Sequence, residues 1–231
     1  MTNRKVPVLP IPGVVFFPNT ALPLYIVDQN CIEMIRHAIE NGDGMIAVSL
    51  ASNNQFHEKN PPSALQLTPM TICTMGRVSI LQEFSNGTLQ VILEGIQRVK
   101  LDQLVQNIPY LVFETREIPD GQSTGESFDH TIERLREILD WWLVHTIPNS
   151  HERHNFSRQI QTVPQIVDYL AFFLVRDLEI KQLFLETTSL ADRIYMLNSI
   201  LIGSHPVREN NFVGKIFKRF EVLERVYKVA H

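Results

Sequence analysis

The first half of the chain alternates apolar and polar residues, whereas the second half repeats its apolar residues at a helical period. Alternation is typical of half-buried β-strands, and spacings of three and four residues are typical of amphipathic helices. Asn86-Gly87 lies between two alternating runs, which is the sequence pattern of a β-hairpin. Further strands are predicted at 6–9, 21–27, 45–50, 99–105 and 110–117.

One short helix interrupts the strands of the first half. Asn30 is predicted as its N-cap because an acidic residue, Glu33, follows three positions later. Asn41-Gly42 is predicted to end the helix. Both phases of the predicted hairpin contain apolar residues, so we expect its two faces to be covered, as in a small barrel.

Helical periodicity begins after the turn-rich segment 119–127. Later helices are predicted from a cap at Thr162, at 178–185, from Ser189 to Gly203 and at about 207–228. The first helix of this half carries an apolar stripe that ends at Pro148 and consists of Phe128, Ile132, Leu135, Leu139 and Trp142.

These patterns together predict an α+β fold with two parts. An N-terminal β-barrel subdomain with one small helix is predicted at residues 1–118. A linker at 119–127 then leads to an α-helical subdomain at 128–231.

Composition and charge narrow the class of function. The chain is 44% hydrophobic and 20% charged, as expected for a soluble globular protein. Residues 1–120 carry eight basic and eleven acidic side chains, so the predicted barrel lacks the basic excess of a nucleic-acid interface. No apolar run approaches the ~18 residues of a membrane span. Cys31 and Cys73 form no CxxC pair or disulfide framework, which favours a reducing, cytoplasmic location.

Sequence motifs for catalysis and for cofactors are missing. The chain contains no GxxxxGK[ST] phosphate loop, no GxSxG nucleophile turn and no HExxH metal motif. His151 and His154 are three residues apart, but Pro148, Asn149 and Ser150 favour a solvated loop over a metal site. We therefore predict no enzyme activity, no cofactor and no metal.

Several segments, taken in order, resemble one known family. Residues 8–18 (VLPIPGVVFFP) and 22–24 (LPL) resemble the start of the amino-terminal substrate-binding domain of Lon proteases. Later landmarks of that family resemble the segments 75–82 (MGRVSILQ), 94–99 (EGIQRV) and 181–186 (KQLFLE), together with Leu190, Arg193 and Leu197. The resemblance extends over residues 5–228.

The resemblance implies a PUA-like β-barrel, a helical bundle and a role in recognising polypeptides. In Lon proteases an ATPase and a Ser–Lys peptidase follow, whereas this chain has no Walker motif and stops at His231. We therefore expect a stand-alone bacterial protein that binds unfolded or exposed apolar polypeptide segments and does not cut them.

Four apolar residues are the candidates for peptide binding. Phe16, Phe17, Leu22 and Tyr25 are predicted to line the β side of an apolar groove, with barrel core as the alternative.

Two residues of the family-like segment 94–99 have structural interpretations. Gly95 is interpreted as a bend or bulge. Arg98 is interpreted as a partner to a nearby carboxylate or carbonyl.

Two other functions stay open from the sequence. Residues 208–231 carry six basic and three acidic side chains on an apolar-striped helix, which suits self-association or binding to a partner protein. RNA binding is the other alternative, because PUA-like barrels also serve that role, and the acidic balance of residues 1–120 disfavours it.

Overall fold

The computed structural model describes residues 4–51, 67–121 and 129–203 of the 231-residue chain. The strands are β1 (Arg4–Ile11), β2 (Ala21–Ile26), β3 (Met45–Leu50), β4 (Ile72–Glu83), β5 (Leu89–Gln106) and β6 (Leu111–Glu117). The helices are α1 (Gln29–Glu40), α2 (Asp129–Thr146), α3 (Ser150–Ser157), α4 (Val163–Leu174), α5 (Leu178–Glu186) and α6 (Leu190–Gly203). Strands thus precede helices along the chain, apart from α1, and the predicted α+β class is confirmed.

The six strands form one mixed sheet with the order β2-β5-β4-β3-β1-β6, and β5 also pairs with β6. This additional pairing closes β1, β3, β4, β5 and β6 into a ring and leaves β2 outside it. The β1–β3 pair is parallel, and the other strand pairs are antiparallel. The closed ring is the barrel that the strand-rich half predicts.

The predicted hairpin is formed by β4 and β5. Gly87 has a φ of 84°, a left-handed conformation that glycine adopts at little cost. Its N–H donates to the carbonyl of Phe84 at 2.9 Å, and the side chain of Asn86 accepts from the N–H of Thr88 at 3.0 Å. Strand β5 continues for 18 residues and unites two strands that the sequence pattern separates.

Two buried apolar clusters fill the strand-rich part. The first lies beneath α1, where Ile32, Met34 and Ile35 join side chains from β2, β4 and β5. The second contains side chains from β1, β3, β4, β5 and β6, among them Val6, Ala47 and Val99. Successive residues of β3 alternate between the two clusters, with Ile46 and Val48 in the first and Met45 and Ala47 in the second, as the period of two predicts.

Two glycines allow close approaches of backbone at the β4–β5 pairing. A Cβ at Gly95 would lie 2.2 Å from the carbonyl oxygen of Phe17, and one at Gly76 would lie 2.5 Å from that of Glu94. The β4–β5 register shifts between Met75 and Gly76, which pairs with Gly95. The register shift confirms the predicted bend or bulge at Gly95, and the close Phe17 carbonyl leaves no room there for a side chain.

The start of α1 differs from the prediction. Asp28, not Asn30, is the N-cap, and its carboxylate accepts from the N–H of Cys31 at 3.0 Å. Asp28 has the extended backbone that a cap requires, whereas Asn30 already lies inside the helix. The predicted end at Asn41 is confirmed.

The predicted loop around the histidines is also wrong. His151 and His154 lie on α3, because Asn149 caps a helix there by accepting from the N–H groups of His151 and Glu152. By contrast, the capping box predicted at Thr162 and Gln165 is confirmed at the start of α4.

The chain divides into two compact units. The first unit comprises Met1–Glu126 and Thr162–Arg193, and the second comprises Ser127–Gln161 and Ile194–His231. In the second unit the apolar stripe of α2 is buried at Leu135, Leu139 and Trp142. The sequence-based division at 118 and 128 assigns residues 162–193 to the helical part, and that domain division stays a prediction.

Some predicted features lie outside the described residues. The helix at 207–228 is one of them, so its role in self-association or partner binding stays a prediction. Phe128 and the linker residues 122–127 are also outside that range.

Candidate functional site

Strand β2 is one end of the sheet order and carries exposed apolar side chains on its outer face. Leu22 and Ile26 are buried, whereas Pro23 and Tyr25 between them are exposed. Pro23 lies opposite Ile92 of β5. The outer row of β2 therefore continues onto the neighbouring strand.

An aromatic contact extends this row to the β4–β5 turn. The ring centroids of Tyr25 and Phe84 are 6.2 Å apart. Tyr25 is 42% exposed, and Val27, directly after β2, is 76% exposed. We refer to Pro23, Tyr25, Val27, Phe84 and Ile92 as the edge surface. Pro23, Tyr25 and Val27 are exposed, and Phe84 and Ile92 are half-buried beside them. Neighbouring accessible apolar side chains of this kind are typical of surfaces that contact other proteins.

The four residues predicted for peptide binding fall into two groups. Tyr25 belongs to the edge surface and is accessible. Phe16, Phe17 and Leu22 are buried to 9% exposure or less. Phe17 packs edge-on against Phe172 of α4 with ring centroids 6.3 Å apart. The barrel-core alternative therefore describes the environment of these three, and a binding role for the set stays a prediction.

Polar and charged side chains border the edge surface on the side of α1. Arg36 of α1 pairs with Glu83 at the end of β4, and both side chains are about half exposed. A cavity of about 370 Å³ between α1 and the hairpin turn is lined by residues that include Glu33, Arg36 and Gly87. Its charged lining does not suit an apolar ligand, whereas the edge surface does.

A second concentration of functional groups lies inside the first unit. We refer to Arg98, Asp120, Asp168 and Arg193 as the ionic cluster. Arg98 Nη2 and Arg193 Nη1 lie 2.6 and 2.8 Å from Asp168 Oδ1. Asp120 Oδ1 lies 3.0 Å from Arg98 Nη1 and 2.8 Å from Arg193 Nη2. Arg98 Nε also donates to the carbonyl of Leu185 at 3.2 Å.

Three of the four charges of the ionic cluster are almost completely withdrawn from water. The side chains of Arg98, Asp168 and Arg193 are at most 3% exposed, and that of Asp120 is 32% exposed. Burial raises the pKa of Asp168, and the positive charges of Arg98 and Arg193 oppose that rise. The two aspartates and the two arginines balance in charge, so the cluster suits a structural role rather than a role in proton transfer.

Burial also shifts the pKa of two cysteines and a lysine. Burial raises the pKa of the Cys31 and Cys73 thiols to about 12, so they are protonated and weakly nucleophilic near neutral pH. Burial lowers the pKa of Lys181 to about 8, while its Nζ donates to the carbonyl of Phe172 at 2.6 Å. Asp28, the cap of α1, also raises the pKa of Cys31, which disfavours the thiolate that a nucleophile would need.

Neither a metal-binding group nor a membrane-spanning helix occurs among the described residues. Within 4–51, 67–121 and 129–203, no group of three or more His, Cys, Asp and Glu side chains is placed to hold a metal ion. The helices described in those ranges are all too short or too polar to cross a bilayer.

Comparison with known proteins adds a family to this geometry. Residues 5–203 match the family described as the ATP-dependent protease La (LON) substrate-binding domain. The chain belongs to this family. The match includes the edge surface and all four residues of the ionic cluster, so both belong to the Lon substrate-binding domain of this chain.

Relatives of the domain are Lon proteases. The Lon protease of Brevibacillus choshinensis is 24% identical over 227 residues, which is 97% of this chain and 28% of that protein. That of Xanthomonas oryzae pv. oryzae is 25% identical over 224 residues, covering 96% of this chain and 26% of that protein. The chain thus spans little more than a quarter of the length of these relatives.

A solved Lon amino-terminal domain has the same fold. The N-terminal domain of Mycobacterium avium complex Lon protease superposes with a TM-score of 0.61 and 16% identity, over 85% of this chain and 97% of that one. The Lon fold of this chain is therefore supported by both sequence and structure.

The family-like segments have physical roles in the Lon substrate-binding domain described here. Arg98 binds two carboxylates and a carbonyl, which confirms its predicted role. The sequence does not identify Asp120 and Asp168 as its partners, because nothing in their spacing joins them to Arg98. Val27, Phe84 and Ile92 were missed as surface residues, although the alternation around the hairpin could have placed Ile92 on the outer face.

Proposed function

We propose that this Lon substrate-binding domain binds exposed apolar segments of unfolded polypeptides and has no catalytic activity of its own. The observation that carries the proposal is the family match over residues 5–203. A cytoplasmic location belongs to the same proposal, and the free, buried thiols Cys31 and Cys73 are consistent with it.

The edge surface supports the proposal with a place for such a segment. Its apolar side chains are presented on a sheet whose interior is already filled, so contact with a polypeptide needs no opening of the core. Tyrosine and other aromatic side chains are enriched where proteins contact one another, since they bury a large area with few rotatable bonds. None of the five residues of the edge surface is basic, so this surface gives no support to RNA binding.

The test is a titration of a permanently unfolded, fluorescently labelled polypeptide against the full chain. We expect saturable binding, and we expect the double variant Tyr25→Ser/Val27→Ser to raise Kd by about tenfold, because both side chains lose apolar contact area. Circular dichroism and thermal melting should be unchanged, since both side chains are substantially exposed.

The matched control is Leu183→Ser on α5, which removes another exposed apolar side chain from the first unit. We expect this variant to change Kd by less than about twofold. Absence of binding to the folded wild-type chain would contradict the proposed function. An equal loss of affinity in both variants would show that the edge surface is not the specific binding surface.

A further inference from the structure

The outer edge of β2 has no strand partner among the described residues. β2 pairs with β5 on one side, and the sheet order ends there. The other five strands are joined in the closed ring. An edge strand of this kind presents unpaired backbone N–H and C=O groups that can bond to another extended chain.

The register shows which backbone groups point outward. The N–H of Gly95 donates to the carbonyl of Thr20 at 2.8 Å, so Thr20 is at a position that bonds to β5. Bonding positions alternate along an antiparallel ladder, which assigns Leu22, Leu24 and Ile26 to β5. Ala21, Pro23 and Tyr25 therefore direct their backbone groups away from β5. Pro23 agrees with this assignment, because proline has no N–H to give to a ladder.

This edge offers three carbonyl acceptors and two N–H donors, and Pro23 is its one protective residue. Natural edge strands are often guarded by charged side chains, especially lysine. No charged residue occurs from Asn19 to Val27. Pro23 is the single residue of β2 that interrupts the edge, and it removes one donor while leaving its carbonyl.

We propose that the outer edge of β2 takes an extended, uncharged polypeptide segment as an additional strand. The inference rests on the proposed function and adds the mode of binding. Main-chain hydrogen bonds at Ala21, Pro23 and Tyr25 hold the segment, and its alternate side chains lie beside the edge surface. Because no charged residue occurs from Asn19 to Val27, this edge offers a charged segment no ion-pair partner, so an uncharged segment fits it. Pairing with the outward backbone groups of β2 requires the segment to be extended.

The test compares an uncharged seven-residue peptide that has apolar residues at alternate positions with two N-methylated forms of it. One form is methylated at the alternate amides that would face β2, and the other at the remaining amides. We expect the first set of methyl groups to weaken binding to the wild-type chain by about tenfold and the second set by less than about threefold, since only the first removes interchain donors.

A protein variant gives the complementary result. Pro23→Val restores the missing donor at the edge, and we expect it to tighten peptide binding by about threefold to tenfold. Pro12→Val, at an exposed proline outside the strands, is the control and should leave Kd unchanged. The methylation series uses the wild-type chain, so it decides the question even if Pro23→Val fails to fold.

The outcomes separate this inference from the proposed function. If the peptide binds and neither methylation pattern nor Pro23→Val changes Kd by more than about twofold, addition at the edge is wrong while polypeptide binding stands. If Pro23→Val forms dimers without a gain in peptide affinity, the occupant is a second copy of the chain and the inference is overturned. If neither the peptide nor an unfolded polypeptide binds, the proposed function itself fails.

Discussion

Strand β5 contributes to two regions with opposite chemistry, the edge surface and the ionic cluster. Ile92 presents an apolar side chain toward the outside, and six residues later Arg98 carries a charge into the interior. The buried charge is matched by two aspartates and a second arginine, since an unpaired charge there would cost several kcal/mol. The exposed apolar side chains have no such compensation, because a few of them cost a folded protein little. The comparison indicates that the ionic cluster serves stability, while the edge surface is available for contact.

The largest effect should come from breaking the ionic cluster at its centre. Asp168→Ala leaves Arg98 and Arg193 buried with only the partly exposed Asp120 as a carboxylate partner. We expect a loss of about 3–5 kcal/mol in the free energy of unfolding, measured by urea denaturation. Asp140→Ala, at an exposed position of α2, is the control and should change stability by less than about 0.5 kcal/mol.

Substitution of Gly95 tests how tightly β5 is packed between the edge surface and the ionic cluster. Gly95→Ala places a methyl group against the Phe17 carbonyl oxygen, and the contact is with backbone that cannot turn aside. We expect a loss of about 3 kcal/mol in thermal or urea unfolding.

Gly121→Ala is the matched control for this substitution. A Cβ at Gly121 would be 3.5 Å from its nearest neighbour, the carbonyl oxygen of Thr188, which is an ordinary contact. Similar losses at both glycines would show that backbone freedom, and not the close approach of Phe17, sets the requirement for glycine at Gly95.

The smallest effect is expected at the ion pair beside the edge surface. Glu83→Gln removes the carboxylate that pairs with Arg36, but both partners are about half exposed and screened by water. We expect a loss of about 0.2–1 kcal/mol that declines further at high salt, measured by urea denaturation in low and high sodium chloride. A loss as large as that of Asp168→Ala would remove the distinction between the two regions.

Local patterns in the sequence predict much of this fold. The hairpin at Asn86-Gly87, the end of α1 at Asn41 and the capping box at Thr162 each depend on residues within a few positions of one another. Asn30 was a wrong choice of cap because Asp28, two residues earlier, competes for the same role. The loop predicted at α3 is wrong for a similar reason, because Asn149, interpreted as part of that loop, caps the start of a helix.

The candidate site is less predictable because it depends on distant residues. Arg98 and Asp168 are 70 positions apart, and no spacing rule connects a strand residue to a particular helix residue. The apolar character that selects Tyr25 also selects Phe16, Phe17 and Leu22, since it does not distinguish an outer face from a filled interior. Register and strand order supply that distinction.

The burial of Cys31 and Cys73 has a practical consequence for measuring these effects. Protonated and enclosed thiols react slowly with maleimides in the folded chain at neutral pH. A single cysteine introduced at the exposed Ser85, next to Phe84, can therefore carry a dye without removal of either native thiol. The unlabelled native thiols then add no fluorescence, and the dye reports the binding of a polypeptide near the hairpin turn in real time.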